Sequence, residues 1–273
     1  MTLDCLRPDW PAPSNVRALC TTRAGGHSKS PYDSLNLGDH VGDDPLAVAA
    51  NRVALRRAVP ARPVFLTQVH GTGVVQLTEQ TRDGEQADAC YTQQVGLACT
   101  VMVADCLPVL LTNRQGSWVA AAHAGWRGLA GQGGVGVLEA LLRRVQALQW
   151  PGVAASKPSD VLAWLGPCIG PLAFEVGPEV GTAFCADLPE AANCFLAKGQ
   201  GKWLADLAGL ARQRLGRLGV TEVHGNDGTA PWCTVGNPDR FFSHRRDRVS
   251  GRLAACVWLE ASSTSPQALT SVS

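Results

Sequence analysis

Five short apolar runs, at 64–69, 73–77, 95–104, 109–112 and 118–122, crowd the middle of the chain and are rich in valine, leucine, alanine and threonine. Runs of this length fit strands and fall short of helices, so they predict the middle of a β-sheet. Helical spacing appears on either side. Residues 45–59 read as a helix with Asp44 as its cap, Pro45 in its first position, and Leu46, Ala49, Ala50, Val53 and Ala54 on one face. Leu138, Leu141, Leu142, Val145 and Leu148 repeat at helical spacing, as do Leu204, Leu207, Ala211, Leu215 and Leu218. Strands are also predicted at 16–22 and 161–165, and 241–259 reads as a terminal hairpin turning near Ser250 and Gly251. The expected fold class is mixed α/β (α+β), with helices packed on sheet faces.

At 273 residues the chain can bury a substantial core, and a single catalytic domain over 1–260 is expected. The Ser- and Thr-rich, uncharged stretch 261–273 is expected to be a disordered tail. The formal net charge is +1, which supplies no field to draw the protein to nucleic acid or an anionic membrane. Residues 1–10 lack the apolar core of a secretory signal, and the stretch 95–104 falls well below the roughly 18 residues of a membrane span, so a cytoplasmic location is expected. Ten scattered cysteines without a CxxC pair read as reduced thiols, with Cys99, Cys185 and Cys256 as small core residues.

Three of the apolar runs end in a residue able to bind a metal: FLTQVH in His70, CTVMVADC in Cys106, and WVAAAH in His123. Side chains where strands give way to loops tend to line the binding crevice of a sheet protein. Two imidazoles and a thiolate form a sensible zinc set with a fourth position open, which makes the site catalytic. Taken singly, each residue is as readily a core or rim residue, and a metal-free arrangement uses the same atoms, with Cys106 as nucleophile and His123 as base. In HAGWRGLAGQGG the glycines allow a ligand to approach closely and Arg127 offers a bidentate contact to phosphate or carboxylate, against the equal alternative of a tight strand-to-helix connection with a solvated arginine. Arg23, Asn36, Gln68 and Asp88 occupy loops beside the same runs as substrate-binding candidates, against the alternative of turn chemistry. Glu175 is a candidate acid or base, otherwise a surface carboxylate. The arginines at 245, 246, 248 and 252 read as a solvated hairpin face in preference to an anion site.

The segments SPYDSLNLGDHVGDDP, TQVHG, ADAC, VADCLPV, AAHAGWRG, GPCIGPLAFEVG and FFSHRRDRVSGRLA occur together and in order. Over about residues 21–259 the chain resembles the laccase-domain (multicopper polyphenol oxidase) family, now regarded as purine nucleoside phosphorylases. That resemblance implies layered mixed sheets flanked by helices, similar to cysteine-hydrolase folds, and His70, Cys106 and His123 as zinc ligands, with copper as the other metal in view. It implies phosphorolysis of adenosine, inosine, guanosine and methylthioadenosine, adenosine deamination, and a separate role in peptidoglycan editing. His244 stands where the family often has Tyr, which puts a contact by that hydroxyl in doubt. The name laccase fits the residues poorly: a mononuclear copper plus a trinuclear cluster needs many histidines, and six His with no HxH pair do not supply them.

The first functional expectation is a zinc-dependent purine nucleoside phosphorylase with deaminase activity, in which Asp105 or Glu175 transfers protons. The HxE and PCxxC signature of known zinc deaminases is absent. A Cys106/His123 hydrolase of cell-wall precursors and a non-enzymatic metal-binding partner protein are the alternatives. The expected partners are purine nucleosides and phosphate, and a monomer is the favoured state.

Overall fold

The central apolar runs build two sheets, not one, in the computed structural model, which describes residues 3–147 and 157–261. A five-stranded sheet runs in the order Cys5–Leu6, Val16–Thr21, Leu253–Leu259, Leu97–Val103, Arg62–Phe65. A six-stranded sheet runs Glu222–Gly225, Val161–Leu165, Leu107–Asn113, Val119–Ala124, Ala89–Thr92, Val74–Gln76. The layered mixed sheets that the resemblance implies are present, whereas the residue pattern alone merges the five runs into one sheet. The strands Leu97–Val103, Leu107–Asn113 and Val119–Ala124 are buried on both faces, so their sequences lack the polar alternation that would have told one sheet from two.

Side-chain alternation shows the layering. In Leu253–Leu259, Ala255, Val257 and Leu259 join Val101, Leu110, Val119 and Trp164 in a core between the sheets. The intervening Ala254, Cys256 and Trp258 join Leu19, Met102 and Leu55 on the outer face. In Leu107–Asn113, Leu110 points inward between the sheets, while Leu107, Val109 and Leu111 pack with the helices Val137–Gln146, Pro178–Cys185 and Leu207–Arg217. The result is helix, sheet, sheet, helices, with a small third sheet of Glu175–Val176, Lys202–Ala205 and Phe195–Gly199 beside them. All ten cysteines are free. Among the described residues no helix is long and apolar enough to cross a membrane.

The first helix, Pro45–Ala58, begins as the sequence predicts, with Asp44 accepting the Leu46 N–H at 3.0 Å. Its buried face is different. Val48, Asn51 and Leu55 turn inward, whereas Leu46 is 80% and Val53 46% exposed. The reason is polar: the long loop 22–44 has no regular hydrogen-bond ladder, and buried Asn51 supplies one in its place. Asn51 Nδ2 donates to Ser28 Oγ and to the Asn36 carbonyl, each at 2.8 Å, and Oδ1 accepts the His27 N–H at 2.7 Å.

Two other expectations change. Leu204 lies on the strand Lys202–Ala205 and not on the helix Leu207–Arg217. The terminal hairpin is replaced by a short helix, His244–Asp247, capped by Ser243, after which Leu253–Leu259 pairs with Val16–Thr21 and Leu97–Val103. Buried Phe241 and Phe242, packed with Val103 and Leu253, hold 241–243 down as an anchor instead of a strand. Leu148 and residues 262–273 of the expected tail lie outside the described residues.

Replacing Asn51 by Leu leaves the Asn36 carbonyl and the His27 N–H without their partner. Asn51→Leu is expected to lower the unfolding free energy by about 2–4 kcal/mol in urea titration. A loss below about 0.5 kcal/mol would show that the loop does not depend on this side chain.

Candidate metal centre

The chain crosses between the two large sheets at 66–73 and again at 104–106, and the first two ligand candidates sit on these crossovers. His70 lies on the first crossover and Cys106 on the second. His123 is inside the strand Val119–Ala124, which continues because Ala124 still pairs with Leu107, so the expectation that all three follow strand ends holds for two. The structure brings them together nonetheless. Their ligand atoms all lie within 4.8 Å of one another, Cys106 Sγ is 3.7 Å from His70 Nε2, and the imidazole rings meet edge to face. Among the described residues they are the one group of three or more His, Cys, Asp or Glu side chains placed to hold a metal ion.

Asp88 organises this group. It is fully buried, and its Oδ1 accepts His123 Nδ1–H at 2.8 Å and the His70 N–H at 2.9 Å. Its Oδ2 accepts the Gly71 N–H at 2.7 Å and the Val69 N–H at 3.2 Å. Burial alone would push this carboxyl up, but the His123 bond, the backbone N–H groups and the His123 charge hold it below the usual carboxylate range. With Nδ1 committed to Asp88, the free ring nitrogen of His123 is Nε2. Burial would also raise the Cys106 thiol and lower His123. Their mutual attraction and hydrogen bonds outweigh it, so the thiol is held down and the imidazole up, as a thiolate–imidazolium pair.

Backbone conformation supports the same geometry. His70 has φ +59° and Asp105 φ +86°, positions that side-chain-bearing residues adopt only when surrounding bonds hold them. Asp88 holds the first. The second is held by Thr234 Oγ1–H to Asp105 Oδ1 at 2.6 Å, the Arg245 N–H to Oδ2 at 2.7 Å, and the Ile169 N–H to the Asp105 carbonyl at 2.9 Å. The glycines of HAGWRG make room for the protein itself, not for a ligand. A Cβ at Gly125 would sit 2.8 Å from His70 Cδ2 and 3.0 Å from Cys106 Sγ, and one at Gly128 would sit 2.6 Å from the Gly71 carbonyl.

A cavity of about 480 Å³ opens onto the three ligands. Met102, Val103, Ala104, Trp126, Ile169, Phe174 and Leu207 give it an apolar wall, and Asp105, Arg127, Arg245, Arg248, Arg252, His40 and His244 give it polar groups. Gln68 also lines it, but its amide is used up on the Met102 backbone, accepting the N–H and donating to the carbonyl at 2.7 Å each. Arg23 is turned away, bonded to the Asp33 and Pro238 carbonyls and stacked on Phe242. Asn36 is fully buried and bonded to Gly38, Asp43 and Arg252. Glu175 pairs with Lys198 at 2.7 Å outside the lining. The arginines read as a solvated hairpin face thus include three that line the cavity, because the hairpin does not exist. The signal in the sequence was four arginines within 245–252 against a single aspartate. His40 and the apolar wall carried no local signal.

Asp88→Asn retains the volume but places an NH2 group among N–H donors. Metal affinity is expected to fall about 10–100-fold, measured by competition with a chromophoric chelator. An unchanged affinity in a folded variant would remove Asp88 from this role.

The residues 17–260 match the family model described as multi-copper polyphenol oxidoreductase laccase. A protein of Pseudomonas aeruginosa named purine nucleoside phosphorylase is 50% identical, over 93% of this chain and 98% of that one. The Escherichia coli protein named purine nucleoside phosphorylase YfiH is 48% identical, over 92% and 97%. Among solved structures, a Neisseria meningitidis protein superposes with a TM-score of 0.84 at 47% identity, covering 94% of this chain and 99% of that one. YlmD of Geobacillus stearothermophilus superposes at 0.81 with 31% identity, covering 91% and 93%. With the match spanning nearly every described residue, this chain belongs to the multi-copper polyphenol oxidoreductase laccase family.

Proposed function

We propose that the protein is a metal-dependent purine nucleoside phosphorylase acting on adenosine, inosine, guanosine and methylthioadenosine, with adenosine deaminase activity. The observation that carries this reading is the joining, in one cavity, of a His–Cys–His ligand group, an apolar wall and four arginines. At about 480 Å³ the cavity falls within the roughly 300–1,000 Å³ usual for small-molecule sites. The relatives' names supply the reaction class. The two-imidazole, one-thiolate donor set suits zinc, with copper as the second choice. A zinc ion bound by His70, Cys106 and His123 would supply a Lewis acid beside the substrate.

The remaining roles belong to the chain's own residues. Phe174, Ile169, Leu207 and Met102 take the purine, and Arg127, whose guanidinium stacks 4.7 Å over the Trp126 ring, contacts the phosphate. In phosphorolysis a phosphate oxygen bonds to ribose C1′ as the C1′–N9 bond breaks, giving ribose 1-phosphate and a purine that takes up a proton. Asp105 is the carboxylate among the lining residues and, with one lone pair left on each oxygen, is assigned to relay that proton from the incoming dihydrogen phosphate, whereas Glu175 lies outside the lining. A single three-ligand group among the described residues does not support the copper clusters that oxidase chemistry requires.

One observation favours a second reading. Cys106, His123 and Asp88 also form a nucleophile, base and orienting carboxylate, as in a cysteine hydrolase editing peptidoglycan precursors. Product analysis with adenosine, with and without phosphate, tests the first reading. Adenine or hypoxanthine with ribose 1-phosphate is expected when phosphate is present, inosine alone marks the deamination, and failure to form ribose 1-phosphate in the presence of phosphate would overturn phosphorolysis. Arg127→Ala is expected to raise the KM for phosphate about tenfold. Cys106→Ser is expected to abolish purine turnover and sharply weaken zinc binding while thermal unfolding changes little, since serine keeps the volume but not the thiolate. Zinc retained with activity lost would favour the nucleophile reading.

A further inference from the structure

Four arginines line the cavity, and their hydrogen bonds sort them by what they are free to do. Arg245 donates to the Glu175 carbonyl at 2.9 Å and lies over the Phe174 ring. Arg127 is exposed and stacked on Trp126, and Arg248 is exposed. Arg252 is fixed from both sides by the loop 36–38. Its N–H donates to Asn36 Oδ1 at 2.8 Å, and its carbonyl accepts the Leu37 N–H at 3.1 Å. Its stem lies so close to Gly38 that a Cβ there would meet Arg252 Cγ at 2.7 Å. Its guanidinium donates only to the neighbouring carbonyls of Ser250 and Gly251.

No carboxylate among the described residues forms an ion pair with Arg252. Burial draws its pKa down, opposed chiefly by the charges of Cys106 and Asp105. Asp105 has both oxygens engaged elsewhere, by Thr234 and by the Arg245 N–H. Arg252 is half-buried at the cavity with no carboxylate paired to its guanidinium, so an anionic ligand would supply the partner that the protein does not. The fold nevertheless commits a fully buried asparagine and a glycine to holding it at the cavity. Its planar fork matches a tetrahedral or planar oxyanion, and the anionic co-substrate of phosphorolysis is phosphate.

We propose that Arg252 is the fixed element of the inorganic-phosphate subsite, completed by the exposed Arg127, Arg248 and His40, and that it determines specificity for the anionic co-substrate. This rests on the phosphorylase reading, so binding of inorganic phosphate is measured first with no nucleoside present, by calorimetry on the full-length zinc-loaded protein. Wild-type protein binds phosphate, and Arg252→Gln weakens that binding at least about tenfold, Arg252→Lys less, because lysine keeps the charge and loses the fork. Gly38→Ala, which displaces the Arg252 stem without touching its charge, weakens binding in the same direction. In steady-state assays the loss falls on the KM for phosphate and leaves the KM for nucleoside within about twofold. Arg248→Gln, at an exposed position where folding is not at stake, gives a loss of about threefold. Phosphate affinity unchanged in folded Arg252→Gln, or in Arg248→Gln should Arg252→Gln not fold, overturns the proposal. So does the absence of wild-type phosphate binding up to about 10 mM. Phosphate bound by Arg252 in a protein that phosphorolyses no nucleoside would sink the phosphorylase reading and leave the subsite standing.

Discussion

The buried carboxylate of Asp88 is the constraint on which the rest of the centre depends. It stands just before the strand Ala89–Thr92, beside Val119–Ala124, and accepts hydrogen bonds from a side chain of one and from the crossover loop of the other sheet. A carboxylate with no solvent exposure is tolerable only when its lone pairs are filled, and here four N–H groups fill them. The same four bonds select the His123 ring nitrogen left for a ligand and hold His70 in its left-handed conformation. Stability and site geometry are thus one set of interactions.

The two-sheet architecture explains why the ligands converge. His70 and Cys106 lie on segments that pass from one sheet to the other, and His123 lies on the strand that pairs with the continuation of the second crossover. Close approach of these segments leaves no space for a side chain at Gly125 or Gly128. The positive φ values at His70 and Asp105 fall on the same two crossovers, so two of the four left-handed non-glycine residues among the described residues sit where side chains must be aimed.

Charge is redistributed more than it is supplied. The whole chain carries a formal net charge of +1, yet four arginines and a single carboxylate line the cavity. Arg246, in the same cluster, is spent on the Thr234, Val235 and Phe241 carbonyls and on Asp247, and so braces the segment that presents its neighbours. Trp126, Phe174 and Leu207 supply an apolar surface opposite in character, and both kinds of surface meet at the ligand group.

Strand-sized apolar runs, the Asp44 cap, the helical stripe Leu138, Leu141, Leu142 and Val145, and the His70, Cys106 and His123 candidates were all legible from residue order. Each depends on periodicity, capping or donor chemistry acting over a few residues. The assignment of runs to two sheets was not legible, because strands buried on both faces present the same apolar pattern in either sheet. The face of the helix Pro45–Ala58 was misread because the buried Asn51 answers to loop carbonyls distant in sequence, not to helical periodicity. Asp88 and Gln68 are plain polar residues in the sequence, and only folding revealed that one holds the ligands and the other holds the Met102 backbone. The sequence by itself determined the central strands, the helices on either side of them and the chemistry available, but not the course of 241–252 or the strand that holds Leu204. Tertiary structure decided which arginines meet the cavity and which carboxylate serves His123, because a hydrogen bond or ion pair depends on distance in space and residue order does not encode it.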